Sequence, residues 1–261
     1  MLVLPPSQAN AIARALRDGL QLQTLGLTFS QMGGDCAAAL APALATCTSL
    51  RSLDLSHCSL KSRGTKALTT TLKANHSFIA IDLSSNFMRL ANKATCDATH
   101  LIEACAAQPN LSHLRLSGNG LNHLDIDAIC NLLAPGSRLQ HLDLSTNRIG
   151  GCTADGQDVF CKLAAALAEN IHGPDLHIDM CDQSLNEKLS VKATAEMRAA
   201  VVARPRLVVE LSIFGVNPDG FPIEYVWGGA SAHRAWRDTE SGVEGSLRAN
   251  AAGGVEECGR V

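Results

Sequence analysis

An eleven-residue pattern recurs along this chain at nearly constant spacing, and it leaves few folds open. Leu50-Arg51-Ser52-Leu53-Asp54-Leu55-Ser56-His57-Cys58-Ser59-Leu60 reads L-x-x-L-x-L-x-x-C-x-L. Phe78 to Met88 repeats it with Ile81, Leu83 and Asn86 in the matching slots. Leu111 to Leu121 does so with Leu114, Leu116 and Asn119, and Leu139 to Ile149 with Leu142, Leu144 and Asn147. A weaker copy precedes these in Leu22, Leu25, Leu27, Ser30 and Met32. Two degenerate copies follow, in Ile178, Met180, Gln183 and Leu185 and then in Leu211 and Ile213. The fourth slot steps through Leu25, Leu53, Ile81, Leu114, Leu142, Ile178 and Leu211, at intervals of 28, 28, 33, 28, 36 and 33 residues. A period of this length marks a stack of like units.

The pattern has a physical reading. Apolar residues at slots four and six share one face of a short strand. The Asn or Cys at slot nine stands where the chain leaves the strand, where a side-chain amide can satisfy backbone groups left unpaired by the turn. Between strands the apolar spacing is helical, as in Ala67, Leu68 and Leu72 or Leu101, Ile102 and Cys105. A helix returning between strands makes them parallel with right-handed crossovers. No unit buries its own leucine face, so stability must come from stacking.

These segments resemble the leucine-rich-repeat family, and the 28-residue unit resembles its ribonuclease-inhibitor-like class. The resemblance covers roughly residues 7–218. It implies an α/β fold: a right-handed solenoid of about seven repeats, with a curved parallel sheet inside and helices outside. Residues 1–21 then form an N-terminal capping helix, N-capped by Ser7 and apolar along Ile12, Leu16 and Leu20. Residues 22–218 are the repeat domain. Five of the nine aromatics (Phe214, Phe221, Tyr225, Trp227 and Trp236) crowd the next stretch, so 219–236 reads as a C-terminal cap, with a partner-binding element as the alternative. Gly-rich residues 237–261 have the composition of a disordered tail.

Composition narrows the function. A net charge of -3 with no basic excess argues against nucleic acid as a partner. No apolar run approaches the roughly 20 residues that span a bilayer, and Pro5-Pro6 ends the opening apolar run too early for a secretory signal. The ten cysteines include no C-x-x-C pair, and Cys47, Cys105, Cys130 and Cys161 fall in apolar helical patterns, so they read as free thiols in a reducing compartment, the cytoplasm. The chain holds no P-loop, G-x-G-x-x-G or G-x-S-x-G motif. The expectation is a protein that is not an enzyme and needs no cofactor.

In the resembled fold, the variable slot between the two leucines faces the concave side. It holds Gly26, Asp54, Asp82, Arg115, Asp143, Asp179 and Ser212 in successive repeats. With strands about 4.8 Å apart, the column is roughly 30 Å long, suited to a protein surface or extended peptide. The acidic members could receive Lys or Arg of a partner with a basic surface; plain solvation is the alternative. His113, His141 and His177 line up on consecutive repeats, with His57 nearby on slot eight. They could hold a metal or make binding pH-dependent, or be solvated surface imidazoles, and solvation is the reading adopted here. Extra residues around 89–94 and 150–158 in the longer repeats project from one rim, as contacts or as neutral surface drift. The overall expectation is a protein–protein interaction module or adaptor that uses the concave face and loop rim. Two alternatives stand beside it. One is a structural subunit of a larger assembly. The other is a GTPase-activating protein of the Ran-activator type, although the tail from Arg237 lacks the strong acidity of that type.

Overall fold

The computed structural model describes residues 4–88, 97–152, 156–170, 173–183, 190–204, 206–216 and 222–228. Helix α1 (Pro6–Arg17) opens the chain. Strands and helices then alternate as β1 (Thr24–Gly26), α2 (Gly33–Thr46), β2 (Ser52–Asp54), α3 (Lys61–Ala74), β3 (Ala80–Asp82), α4 (Asp97–Ala106) and β4 (His113–Arg115). A 3-10 turn (His123–Asp125) leads into α5 (Ile126–Leu132), followed by β5 (His141–Asp143), α6 (Val159–Glu169), β6 (Leu176–Gln183), α7 (Val191–Ala203), β7 (Leu207–Val216) and β8 (Pro222–Gly228). The sheet follows chain order from β1 to β8, with β1 to β7 parallel and β8 antiparallel to β7. This is the α/β leucine-rich-repeat solenoid that the sequence pattern implies.

Leucine alternation sets the layers. Leu53 and Leu55, Ile81 and Leu83, Leu114 and Leu116, and Leu142 and Leu144 are all buried in one continuous core. Their alternating neighbours stay at least partly exposed on the opposite sheet face. Helices pack along the other side in chain order, closest between α2 and α3. There a Cβ on Gly34 would come within 2.9 Å of the Arg63 Cβ and 3.0 Å of the Gly64 backbone nitrogen.

The slot-nine residues form an internal ladder, as expected. Asn86, Asn119 and Asn147 are essentially fully buried. Asn119 Nδ2 donates to the carbonyls of Leu83 (2.9 Å) and Leu116 (3.0 Å), while its Oδ1 accepts the Asn86 N–H at 2.9 Å. Asn147 does the same one repeat on, donating to Leu116 and Leu144 and accepting from the N–H groups of Asn119 and Leu121. Gln183 closes the ladder by donating to Leu144 and accepting from the Ile149 N–H. At the other end Cys58 takes the slot, its thiol donating to the Leu27 carbonyl at 3.0 Å. Each rung therefore ties one repeat to the next, because a buried carbonyl without a partner is costly.

A second set of polar side chains works where the helices end. Asn75 donates to the carbonyls of Leu44 and Cys47, Gln108 to that of Leu72, and Asn170 to those of Leu133 and Ala134. These carbonyls lie at or just past the C-terminus of the preceding repeat's helix, where helical partners run out. The eight described cysteines are free thiols, five of them buried. Burial pushes the Cys105 thiol up to about 12, as befits a small core hydrophobe.

Two expectations need correction. Ser7 does not cap α1: the helix starts at Pro6, Pro5 occupies the cap position, and no side chain caps it. Proline suits a first helical position because the N–H it lacks would be unpaired there anyway. The last repeat is also shifted by two residues. Ile178 pairs with Val209 and Met180 with Leu211, so the core pair is Val209 and Leu211 rather than Leu211 and Ile213. A two-residue alternation through Val209, Leu211 and Ile213 fits either phase, and no slot-nine amide pins the register there. The extra residues at 89–94, Leu185, Phe221, Trp236 and the tail 237–261 lie outside the described residues, as do 153–155 of the second insertion.

Candidate binding face

The sheet face away from the helices is built by register. Its central column runs Gly26, Asp54, Asp82, Arg115, Asp143, Asp179, Glu210, each paired with the next across the sheet. Glu210 stands where the sequence reading put Ser212, so the column holds one more acid than expected. Each Asp also has a local task. The Oδ1 of Asp54 accepts the Ser56 N–H, that of Asp82 the Ser84 N–H, that of Asp143 the Ser145 N–H and that of Asp179 the Cys181 N–H, all at 2.8–2.9 Å. Ser56 and Ser145 hydroxyls donate to the same oxygens of Asp54 and Asp143. At Asp54, Asp82 and Asp143 these Asx turns end the strands, whereas β6 runs on past Asp179 to Gln183. Arg115 relieves the acid column on one side, its Nη1 lying 3.6 Å from Asp82 Oδ2. Burial, with Asp143 and Glu210 nearby, raises the Asp179 carboxyl above its ordinary range.

Beside this column run Thr24, Ser52, Ala80, His113, His141, His177 and Val208. The face is thus small and hydroxylated at its first strands and imidazole-lined further on. His141 Nδ1 lies 3.3 Å from His177 Nδ1, and His177 Nε2 lies 3.7 Å from Glu210 Oε2. The His113 and His141 rings are 6.2 Å apart, and Ser112 Oγ contacts His113 Nδ1 at 2.8 Å. Among the described residues no group of three or more His, Cys, Asp or Glu side chains is arranged to hold a metal ion. His57 is not part of this row. It stands at the exit of β2 with its ring stacked on Phe29 at 4.2 Å and 11°. The sequence reading missed Phe29, whose only signal was an aromatic in a turn slot.

Burial, together with His177 and Arg115, pushes the His141 imidazole down to about 4. In the unfolded chain it would titrate near 6.5. Between those values the unfolded state holds a proton that the folded state lacks, so stability falls as pH drops from about 6.5 to 4 and is flat below. His141 should contribute a loss of about 1–2 kcal/mol at acid pH, after allowance for solvent screening of a half-buried ring. Urea unfolding of wild type and His141→Gln at pH 7.5 and 4.5 measures it. Equal pH dependence in the two proteins would refute it.

One leucine-rich-repeat family model matches residues 46–68 and another matches residues 110–132. A solved structure, the tropomodulin C-terminal domain from Caenorhabditis elegans, is 11% identical at a TM-score of 0.44, covering 75% of this chain and 92% of its own. The chain carries leucine-rich repeats at both matched segments. Repeats of this family generally mediate protein–protein interaction.

Proposed function

We propose that this chain is a non-catalytic protein-binding module whose sheet face receives Lys and Arg side chains of a partner along the carboxylate column. The observation that carries the reading is the register itself: four Asp and one Glu stand in one line, relieved only by Arg115. The Asx turns occupy one oxygen of each Asp; the second oxygen of Asp82 faces Arg115, and those of Asp54 and Asp143 are left for a partner. In a solenoid of the ribonuclease-inhibitor-like class, which the 28-residue step supports, this face is the concave one. The free buried thiols fit a cytoplasmic location.

The test is affinity purification of the tagged protein with mild crosslinking, repeated with Asp54, Asp82, Asp143 and Asp179 all changed to Asn. Asn keeps the Oδ1 acceptor, so the turns survive while the charge goes. Wild type should recover a partner crosslinked through Lys or Arg to this face, and the variant should bind it about tenfold more weakly or worse. Unchanged affinity for the variant would refute the column as the site.

A further inference from the structure

Two phenylalanines sit where the fold has least use for them. Phe29 is 60% exposed and Phe87 is 53% exposed. Both hold positive φ, 56° and 55°, in turns that follow a strand. Such a conformation is an outlier for a bulky side chain. The matching turn positions of the fourth repeat carry Gly118 and Gly120, for which positive φ is unstrained. Neither burial nor backbone preference therefore accounts for the two rings.

Hydrogen bonds connect Phe29 to the carboxylate column. The Phe29 N–H donates to the Ser56 carbonyl, and Ser56 binds Asp54 Oδ1 through both its N–H and its hydroxyl. The stack on His57 fixes the Phe29 ring at the exit of β2. Phe87 follows the Asn86 rung, five residues past Asp82. Among the described residues Asp54 makes no ion pair, whereas Asp82 is shared with Arg115. The neighbouring face is low, with Gly26, Thr24 and Ser52 leaving room beside the acid.

We propose that Phe29 on His57, together with Phe87, forms an aromatic flank to the carboxylate column, and that flank and Asp54 together select arginine side chains of a partner's extended basic segment. A planar guanidinium can lie on an aromatic face and still present N–H groups to a carboxylate, which a lysine ammonium does less well. The assignment rests on the reading of the column as a receptor for basic side chains and adds its chemical preference.

Fluorescence anisotropy of labelled (Arg-Ser)5, (Lys-Ser)5 and (Glu-Ser)5 peptides with the full chain, under reducing conditions, tests it. The arginine peptide should bind best and the glutamate peptide not at all. Asn accepts positive φ, so Phe29→Asn with Phe87→Asn should weaken arginine-peptide binding about tenfold while the melting temperature holds or rises by about 2 °C. Phe29→Tyr should keep the binding. If Asp54→Asn weakens the arginine peptide and the double Phe variant does not, the flank is wrong and the column stands. If wild type binds neither cationic peptide, column and flank fall together. A large drop in melting temperature for the double variant would make the rings structural and overturn the proposal.

Discussion

Asn119→Ala is expected to lower the stability of the fold by about 3–5 kcal/mol, because it strands several buried backbone groups at once. The amide is 1% exposed, donates to two carbonyls from successive repeats and accepts an N–H from the preceding rung. Each lost partner carries a desolvation penalty of about 1–3 kcal/mol. The sum is not additive, since water or a backbone shift recovers part of it. Asn119→Asp should be nearly as damaging, for a carboxylate cannot donate to either carbonyl. Urea unfolding gives the number directly. A cost below about 1 kcal/mol would mean that the ladder is ornamental and that leucine packing alone holds the stack.

Leu144→Ala is the second large effect, expected at about 2–5 kcal/mol. Leu144 is fully buried at slot six of a central repeat, with packed repeats on either side and no rim through which the cavity could collapse. Leu27, at the same slot of the first repeat, is only half-buried, because among the described residues β1 is the edge of the sheet. Leu27→Ala should therefore cost clearly less. If the two substitutions cost the same, burial by neighbouring repeats is not what makes these leucines matter.

The repeats from Leu50 to Ile149 were legible in the sequence because two independent signals agree there. Apolar alternation places the strand, and Asn86, Asn119 or Asn147 pins its exit. Even the substitutes Ser30, Cys58 and Gln183 kept the phase, since each is a small or amide side chain at the same step. Where the second signal vanishes, so does the register: the last repeat offers only alternating Val209, Leu211 and Ile213, and the reading slipped by two. That slip hid Glu210 from the acid column. The helix-end residues Asn75, Gln108 and Asn170 were missed for another reason, because their partners lie a full repeat away and leave no local pattern. The Asx turns could have been read from Asp-Leu-Ser at Asp54, Asp82 and Asp143, where an acid two residues before a serine is a strand-ending signature. Proximity of His141 to His177 followed from strand register, but His57 belongs to a different corner because slot eight has already left the strand.

Those same Asx turns carry a consequence for association rates and entropy. A surface aspartate ordinarily samples several rotamers, and a ligand that fixes it must offset the lost freedom. Here the Oδ1 atoms of Asp54, Asp82, Asp143 and Asp179 are already held by backbone N–H groups. A cation arriving at this face meets carboxylates frozen by folding itself, so encounter and final complex need little rearrangement on this side, and differences in affinity among ligands should reflect the order that the ligand loses.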